Sequence, residues 1–174
     1  MSIRTGTYKF GPDNAALSVR TGRSGAAAKA GHDLVIDVTS WEATLEIGDD
    51  SRLELSADPT SLHVREGRGG MQSLGEDDKA DIRKTIDKDV LGKQEISFRS
   101  SRVENAGDGL KVGGDLELGG RSKPITFDLS ATDGALTGSA SVKQSDWGIK
   151  PYSALFGALK VNDEVEVVVE AKLD

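Results

Sequence analysis

Apolar and polar residues alternate along most of this chain. In residues 164–173, Val165, Val167, Val169, Ala171 and Leu173 alternate with Glu164, Glu166, Val168, Glu170 and Lys172. A period of two sends one set to a dry face and the other to water, as in a half-buried strand. The same phase holds for Trp41, Ala43, Leu45 and Ile47, for Leu53, Leu55 and Ala57, and for Ile125, Phe127, Leu129 and Ala131. Val112, Leu116 and Leu118 keep it with Gly114 in register, and Leu34, Ile36 and Val38, Ile96 and Phe98, and Leu136, Ala140 and Val142 extend it. Turn residues separate the runs: residues 48–51, Asp108-Gly109 and Asp133-Gly134. Asp-Gly supplies the positive φ of a tight hairpin turn, and such short links imply antiparallel neighbours.

Two stretches leave this rhythm. Ile82, Ile86 and Val90 fall at i, i+4 and i+8, so a helix is expected over about residues 76–91. Ser73 with Glu76 reads as its capping box, Glu76, Asp77 and Asp78 suit the positive end of its dipole, and Gly92 is a natural stop. Residues 153–159 carry Leu155, Phe156 and Leu159 at helical spacing, which predicts a short helix or an apolar loop. About eight to ten strands of one-sided polarity need a second sheet or closure into a barrel, and periodicity admits both. Residues 1–174 read as one all-β domain with one inserted helix.

Composition narrows the function. The chain has 174 residues, 22 Lys+Arg against 29 Asp+Glu, a net charge of −7 and no Cys. Disulfides and thiolate metal sites are excluded. The acidic balance disfavours nucleic acid and anionic membranes, and the few aromatics are not interleaved with basic residues as a stacking platform requires. No apolar run approaches a membrane span, so no stable membrane insertion is expected. Residues 1–6 carry no secretion or lipidation pattern, which predicts a cytoplasmic protein. A homodimer stays open, being the commonest oligomer.

Motifs for catalysis are thin. Gly22-Arg23-Ser24-Gly25 only looks like a hydrolase elbow. His32 beside Asp33 suggests a base and its orienter, but strand neighbours point to opposite faces, so a histidine satisfied at a strand end is the plainer reading. His63 reads as structural or exposed. Gly67-Arg68-Gly69-Gly70 lacks the spacing and terminal Lys-Ser/Thr of a phosphate loop, and three acids follow it, so it reads as a mobile loop.

What remains is the dry face. If the sheet closes, Trp41, Leu45, Ile47, Leu53, Leu55, Ile96, Phe98, Leu116, Leu118, Phe127 and Leu129 line its interior. Tyr152, Leu155 and Phe156 would form part of a mouth, because their segment lacks strand phase. Ala43, Ala57, Gly114, Ala131, Gly138 and Ala140 share the inward phase, and Gly numbers 21 in this chain. Small inward residues either leave room for a ligand or let the barrel narrow and pack tight; the pattern admits both.

The order of elements resembles the YceI-like family of bacterial polyisoprenoid-binding, lipocalin-like proteins. The resemblance rests on Tyr8-Lys9-Phe10-Gly11-Pro12-Asp13, Ser61-Leu62-His63-Val64, the helix from Ile86 to Leu91 followed by Ile96-Ser97-Phe98-Arg99-Ser100, the run from Gly114 to Pro124, and Ser145-Asp146-Trp147-Gly148-Ile149. It implies an antiparallel lipocalin-like barrel of about eight strands with a helix across an opening. It implies a tunnel for an isoprenoid or other long-chain lipid, with Trp147 among the ligand-binding residues. It implies no catalysis, no cofactor and no metal. The chain departs from the family where an Arg is often found, carrying Gln144 instead, which weakens any preference for a phosphorylated head. The competing expectation is a filled barrel serving protein interaction or stress response.

Overall fold

The computed structural model describes residues 3–26, 28–70, 74–154 and 159–173. The strands are β1 (Gly6–Phe10), β2 (Ala15–Arg20), β3 (Arg23–Ser24), β4 (Asp33–Val38), β5 (Trp41–Ile47), β6 (Arg52–Ala57) and β7 (Leu62–Arg68). Helix α1 (Glu76–Thr85) follows, then β8 (Ile96–Ala106), β9 (Gly109–Leu118), β10 (Arg121–Thr132), β11 (Ala135–Lys143), β12 (Ser153–Ala154), β13 (Leu159–Val161) and β14 (Glu164–Lys172).

Eleven of these strands form one sheet, in the order β1-β5-β6-β8-β9-β10-β11-β14-β2-β4-β7, and every neighbouring pair is antiparallel. The all-β, antiparallel, one-helix expectation holds. The large sheet has eleven strands where a barrel of about eight was anticipated. The sheet curls on itself, since residues from all eleven strands face one interior space.

A sharp corner makes the curl possible. β4 runs into β5 through Thr39 and Ser40 alone, and β6 runs into β7 through residues 58–61. β5 pairs with β6 near one end of the strand order, and β4 pairs with β7 at the other. One long bent hairpin therefore ties the two ends of the sheet together. Its corner is pinned by Thr39 N–H to Ser61 O at 2.9 Å, Asp58 N–H to Ser40 O at 2.9 Å and Ser40 N–H to the Ser61 hydroxyl at 3.1 Å. That explains why the polar Ser61 is buried. No ladder joins β1 to β7 among the described residues, so the two edge strands leave a seam.

α1 packs beside this seam, against β7. Its first turn is capped at Gly75, whose N–H is 3.0 Å from the Asp78 carboxylate, two residues later than Ser73 and Glu76 had suggested; Ser73 lies outside the described residues. The helix continues as a π-helical turn over Ile86–Val90, marked by Leu91 N–H to Ile86 O at 2.9 Å. Arg83 anchors the cover to the corner by donating to Thr60 O at 2.9 Å.

Two local readings change. The short helix or loop expected over residues 153–159 is, where described, a pair of two- and three-residue strands, β12 and β13, which pair with each other and with β3. Helical spacing over so few residues is not decisive when a strand edge is available to pair with. The hairpin between β8 and β9 turns at Gly107, φ 58°, rather than at Asp108-Gly109. Asp133 and Gly134 turn as expected, with φ of 53° and 76°. Among the described residues no helix is long and apolar enough to cross a membrane.

Candidate functional site: an apolar cavity inside the curled sheet

The inward phase does two different things along the strands. Towards the β8–β9 and β10–β11 hairpins the interior is filled. Leu110, Val112, Leu129, Ala131, Leu136 and Ala171 are 4% exposed or less there; Leu110 pairs with Leu129, Ala131 with Leu136, and Leu136 with Ala171 across adjacent strands, and Leu129, Leu136 and Ala171 mark where the filled part meets the cavity. Leu45, with no exposed surface, is equally packed in.

Towards the other strand ends the interior is hollow. A cavity of about 570 Å³ is walled by Leu53 and Leu55 of β6, Ile96 and Phe98 of β8, Leu116 and Leu118 of β9, Ile125 and Phe127 of β10, and Val165, Val167 and Val169 of β14. Leu17 and Val19 of β2 and Leu34, Ile36 and Val38 of β4 complete the curve. Phe98 and Phe127 meet on this wall with ring centroids 5.4 Å apart and planes tilted by 59°, a favourable aromatic arrangement. Ile82 and Thr85 of α1, then Ile86, Val90 and Leu91, roof the space. The helical stripe read from the sequence thus faces the cavity.

Of the residues expected to face a ligand, Trp41, Leu53, Leu55, Ile96, Phe98, Leu116, Leu118, Phe127, Leu129 and Tyr152 are on the cavity wall. Leu45, Ile47 and Trp147 are not. Leu45 belongs to the filled packing, and Ile47, near the far end of β5, packs only against the margin of the core. Trp147 is 4% exposed and donates its indole N–H to Leu116 O at 2.8 Å, bracing the turn after β11 against β9. Leu155 and Phe156 lie outside the described residues. The lining residues not anticipated, such as Phe10, Val142 and Val167, follow the same two-residue phase and were findable by it.

Small inward residues split in the same way. Ala43, Ala57 and Ala140 line the cavity, and Ala131 is in the filled part. Neighbours close in on two of the inward glycines, although Gly138 still borders the cavity. A Cβ on Gly114 would stand 2.3 Å from Arg99 O and 2.8 Å from the Phe98 ring, because the β8–β9 register shifts between Ser100 and Arg102 and brings the strands close. A Cβ on Gly138 would meet Leu129 Cδ2 at 2.6 Å.

Six polar wall residues gather at one end, apart from Asp81 and Thr85 of α1 and Ser139 of β11. Thr21, Arg23, His32, Gln144, Tyr152 and Lys160 all reach the cavity there. Arg23 donates to Arg68 O at 2.9 Å and to Gly31 O, and its Nε stands 3.9 Å from the Asp33 carboxylate. It clamps the strand before residues 69–70 to the start of β4. The His32 ring lies against Gly70, where a Cβ would come within 2.5 Å of Nε2, so this Gly-rich segment packs on the wall and does not cradle phosphate. His63 points outward from β7.

Gln144 is the most enclosed of these polar groups, 8% exposed. Its backbone N–H bonds Asp163 O at 2.8 Å and its side-chain amide donates to Asn162 O at 3.1 Å. The adjacent Ser145 gives both its N–H, at 2.7 Å, and its hydroxyl to the Asp163 carboxylate. These donors hold the Asp163 carboxyl below its ordinary range, the hydroxyl bond contributing most. The rim is thus stitched between the turn after β11 and the start of β14.

A curled antiparallel sheet around an apolar cavity, roofed by a single helix, defines a lipocalin-like fold. The model of the YceI-like domain matches residues 8–173, and the chain belongs to that family. Solved structures share the fold. Burkholderia cenocepacia BcnA superposes with a TM-score of 0.64 at 14% identity, covering 90% of this chain and 94% of its own. The Campylobacter jejuni YCEI protein gives 0.58 at 13% identity, covering 79% of this chain and 82% of its own. No curated protein sequence matches the chain.

Proposed function

We propose that this protein binds a long-chain lipid of the isoprenoid type inside the curled sheet and carries or sequesters it without chemical change. The observation that supports this most is the cavity itself, about 570 Å³ and walled by apolar side chains from every strand of the large sheet and from the helical roof. A tightly filled interior would instead favour a module acting only through its outer surface. At about 30 Å³ per carbon-sized group, the share of a water in the liquid, the space takes roughly twenty carbons, or about four isoprene units. Each buried methylene contributes about 0.8 kcal/mol, so one five-carbon unit supplies roughly 3–4 kcal/mol before ordering losses.

Organic extraction of the purified protein followed by mass spectrometry tests this reading. A single-chain lipid near the expected length should be recovered in stoichiometric amount, or should be taken up when supplied as a prenyl lipid. Absence of both outcomes sinks the proposal.

A further inference from the structure

We propose that Leu129 and Leu136 form the floor on which the tail of the bound lipid ends, and that Leu129 sets the longest chain the cavity shelters. The inference rests on the lipid-binding reading and deepens it. Along β11 the inward positions run from Leu136 through Gly138, Ala140 and Val142, and Gln144 follows just past the strand's end; all five are on the cavity wall. At about 3.4 Å per residue the column from Leu136 to Gln144 is roughly 27 Å long. Its Gln144 end belongs to the polar group with Thr21, Arg23, Tyr152 and Lys160. Its Leu136 end is apolar. Leu136 pairs with Ala131 and Ala171, and Leu129 pairs with Leu110 and Gly138. Ala131 and Leu110 are as deeply buried as these leucines but do not reach the cavity, so the open space stops at Leu129 and Leu136.

Leu129 closes this end for a local reason. Gly138, its partner on β11, has no side chain, and Leu129 lies across that place: a Cβ on Gly138 would stand 2.6 Å from Leu129 Cδ2. Without the Leu129 side chain, the space over Gly138 would open into the cavity that both residues border. An apolar tail driven out of water fills the dry end and leaves its polar head at the rim. Each added carbon gains burial until the tail meets the floor. Further carbons stay at the rim in water and gain nothing. Leu129→Ala removes three carbons, roughly 90 Å³ at about 30 Å³ per carbon-sized group, so the floor recedes by more than half an isoprene unit.

Calorimetric titration of the intact protein with farnesol, geranylgeraniol and geranylfarnesol tests the assignment. The three alcohols share one head and differ by one isoprene unit each. In the wild type, geranylgeraniol should bind at least about tenfold more tightly than farnesol, and geranylfarnesol within about threefold of geranylgeraniol. In Leu129→Ala the plateau should move, with geranylfarnesol about tenfold tighter than geranylgeraniol: one buried methylene is worth about fourfold, and ordering losses take part of the gain from three carbons. If that variant does not fold, the wild type decides by photo-crosslinking. A twenty-carbon prenyl chain with a diazirine on its last carbon should attach to β10 or β11 near Leu129 and Leu136. Attachment at Thr21 or Lys160 instead overturns the assignment. So does a wild-type affinity that climbs as steeply from geranylgeraniol to geranylfarnesol as from farnesol to geranylgeraniol, or a plateau that Leu129→Ala leaves in place; lipid binding stands in each of these cases. Failure of all three alcohols to bind the wild type overturns lipid binding and this assignment together.

Discussion

The two ends of the interior are built from the same alternation and behave differently. At the hairpin end, Leu110, Val112 and Ala131 are packed in away from the cavity, and their neighbours Leu129 and Leu136 border its near edge. At the polar-rimmed end, equally apolar residues such as Val165, Val167 and Leu118 stand apart around a cavity. Side-chain size does not separate them, since valines and alanines occur at both. What differs is how closely the opposing walls approach. At the filled end the residues of adjacent hairpins meet, whereas at the other α1, packed against β7, and the turn that follows it roof an open space. One end is close-packed and the other leaves space unfilled.

Substitutions that test packing should show the largest contrast. Leu110→Ala opens a cavity at the filled end and should cost about 2–5 kcal/mol, read by denaturant unfolding, without changing lipid affinity in the folded protein. A matched pair sharpens the point. Ala131→Leu should lose about 1–3 kcal/mol through overpacking, whereas Ala43→Leu, facing the cavity, should lose less than about 1 kcal/mol and instead reduce lipid uptake. Equal stability losses for these two alanines would erase the distinction between the ends.

The roof gives a smaller effect. Arg83→Ala removes the donor to Thr60 O and should cost about 1 kcal/mol while speeding lipid exchange, measured by stopped-flow release of a fluorescent chain. No change in exchange would mean that the lipid does not pass beneath α1.

The smallest effect is at the rim. Asp163 titrates below its ordinary range when folded, so its bonds to Ser145 add stability above the unfolded carboxyl's pKa, and that contribution fades as pH falls through the lower, folded value. Melting temperature against pH should drop less steeply on the acid side in Asp163→Asn than in wild type. The full-length buried core should show no such difference.

Much of this was legible in the alternation. The strands from Trp41 to Ile47 and from Glu164 to Lys172 are where the period-two pattern put them, and Ile82, Ile86 and Val90 do form a helical stripe. Ten of the expected lining residues are on the wall because phase alone sends a side chain inward. Phase cannot say whether an inward residue meets another or meets empty space, which is why Leu45 and Leu53, on neighbouring strands, ended in different surroundings. The segment around residues 153–161 misled because three apolar residues at helical spacing carry less weight than a free edge at Arg23–Ser24.

By itself the amino-acid sequence determined the antiparallel strands, the helix and the inward face, since alternation and turn chemistry act over a few residues. Tertiary structure decided how the small inward residues divide: Ala43, Ala57, Ala140 and Gly138 border the hollow, and Gly114 and Ala131 do not. A glycine inside a sheet invites the neighbouring strand or ring into the missing side chain's place, as Phe98 does at Gly114, whereas an alanine still holds its neighbours off. Tertiary structure also decided that Gln144 sits on the cavity wall, because its place depends on residues 162 and 163, eighteen and nineteen positions further along the chain.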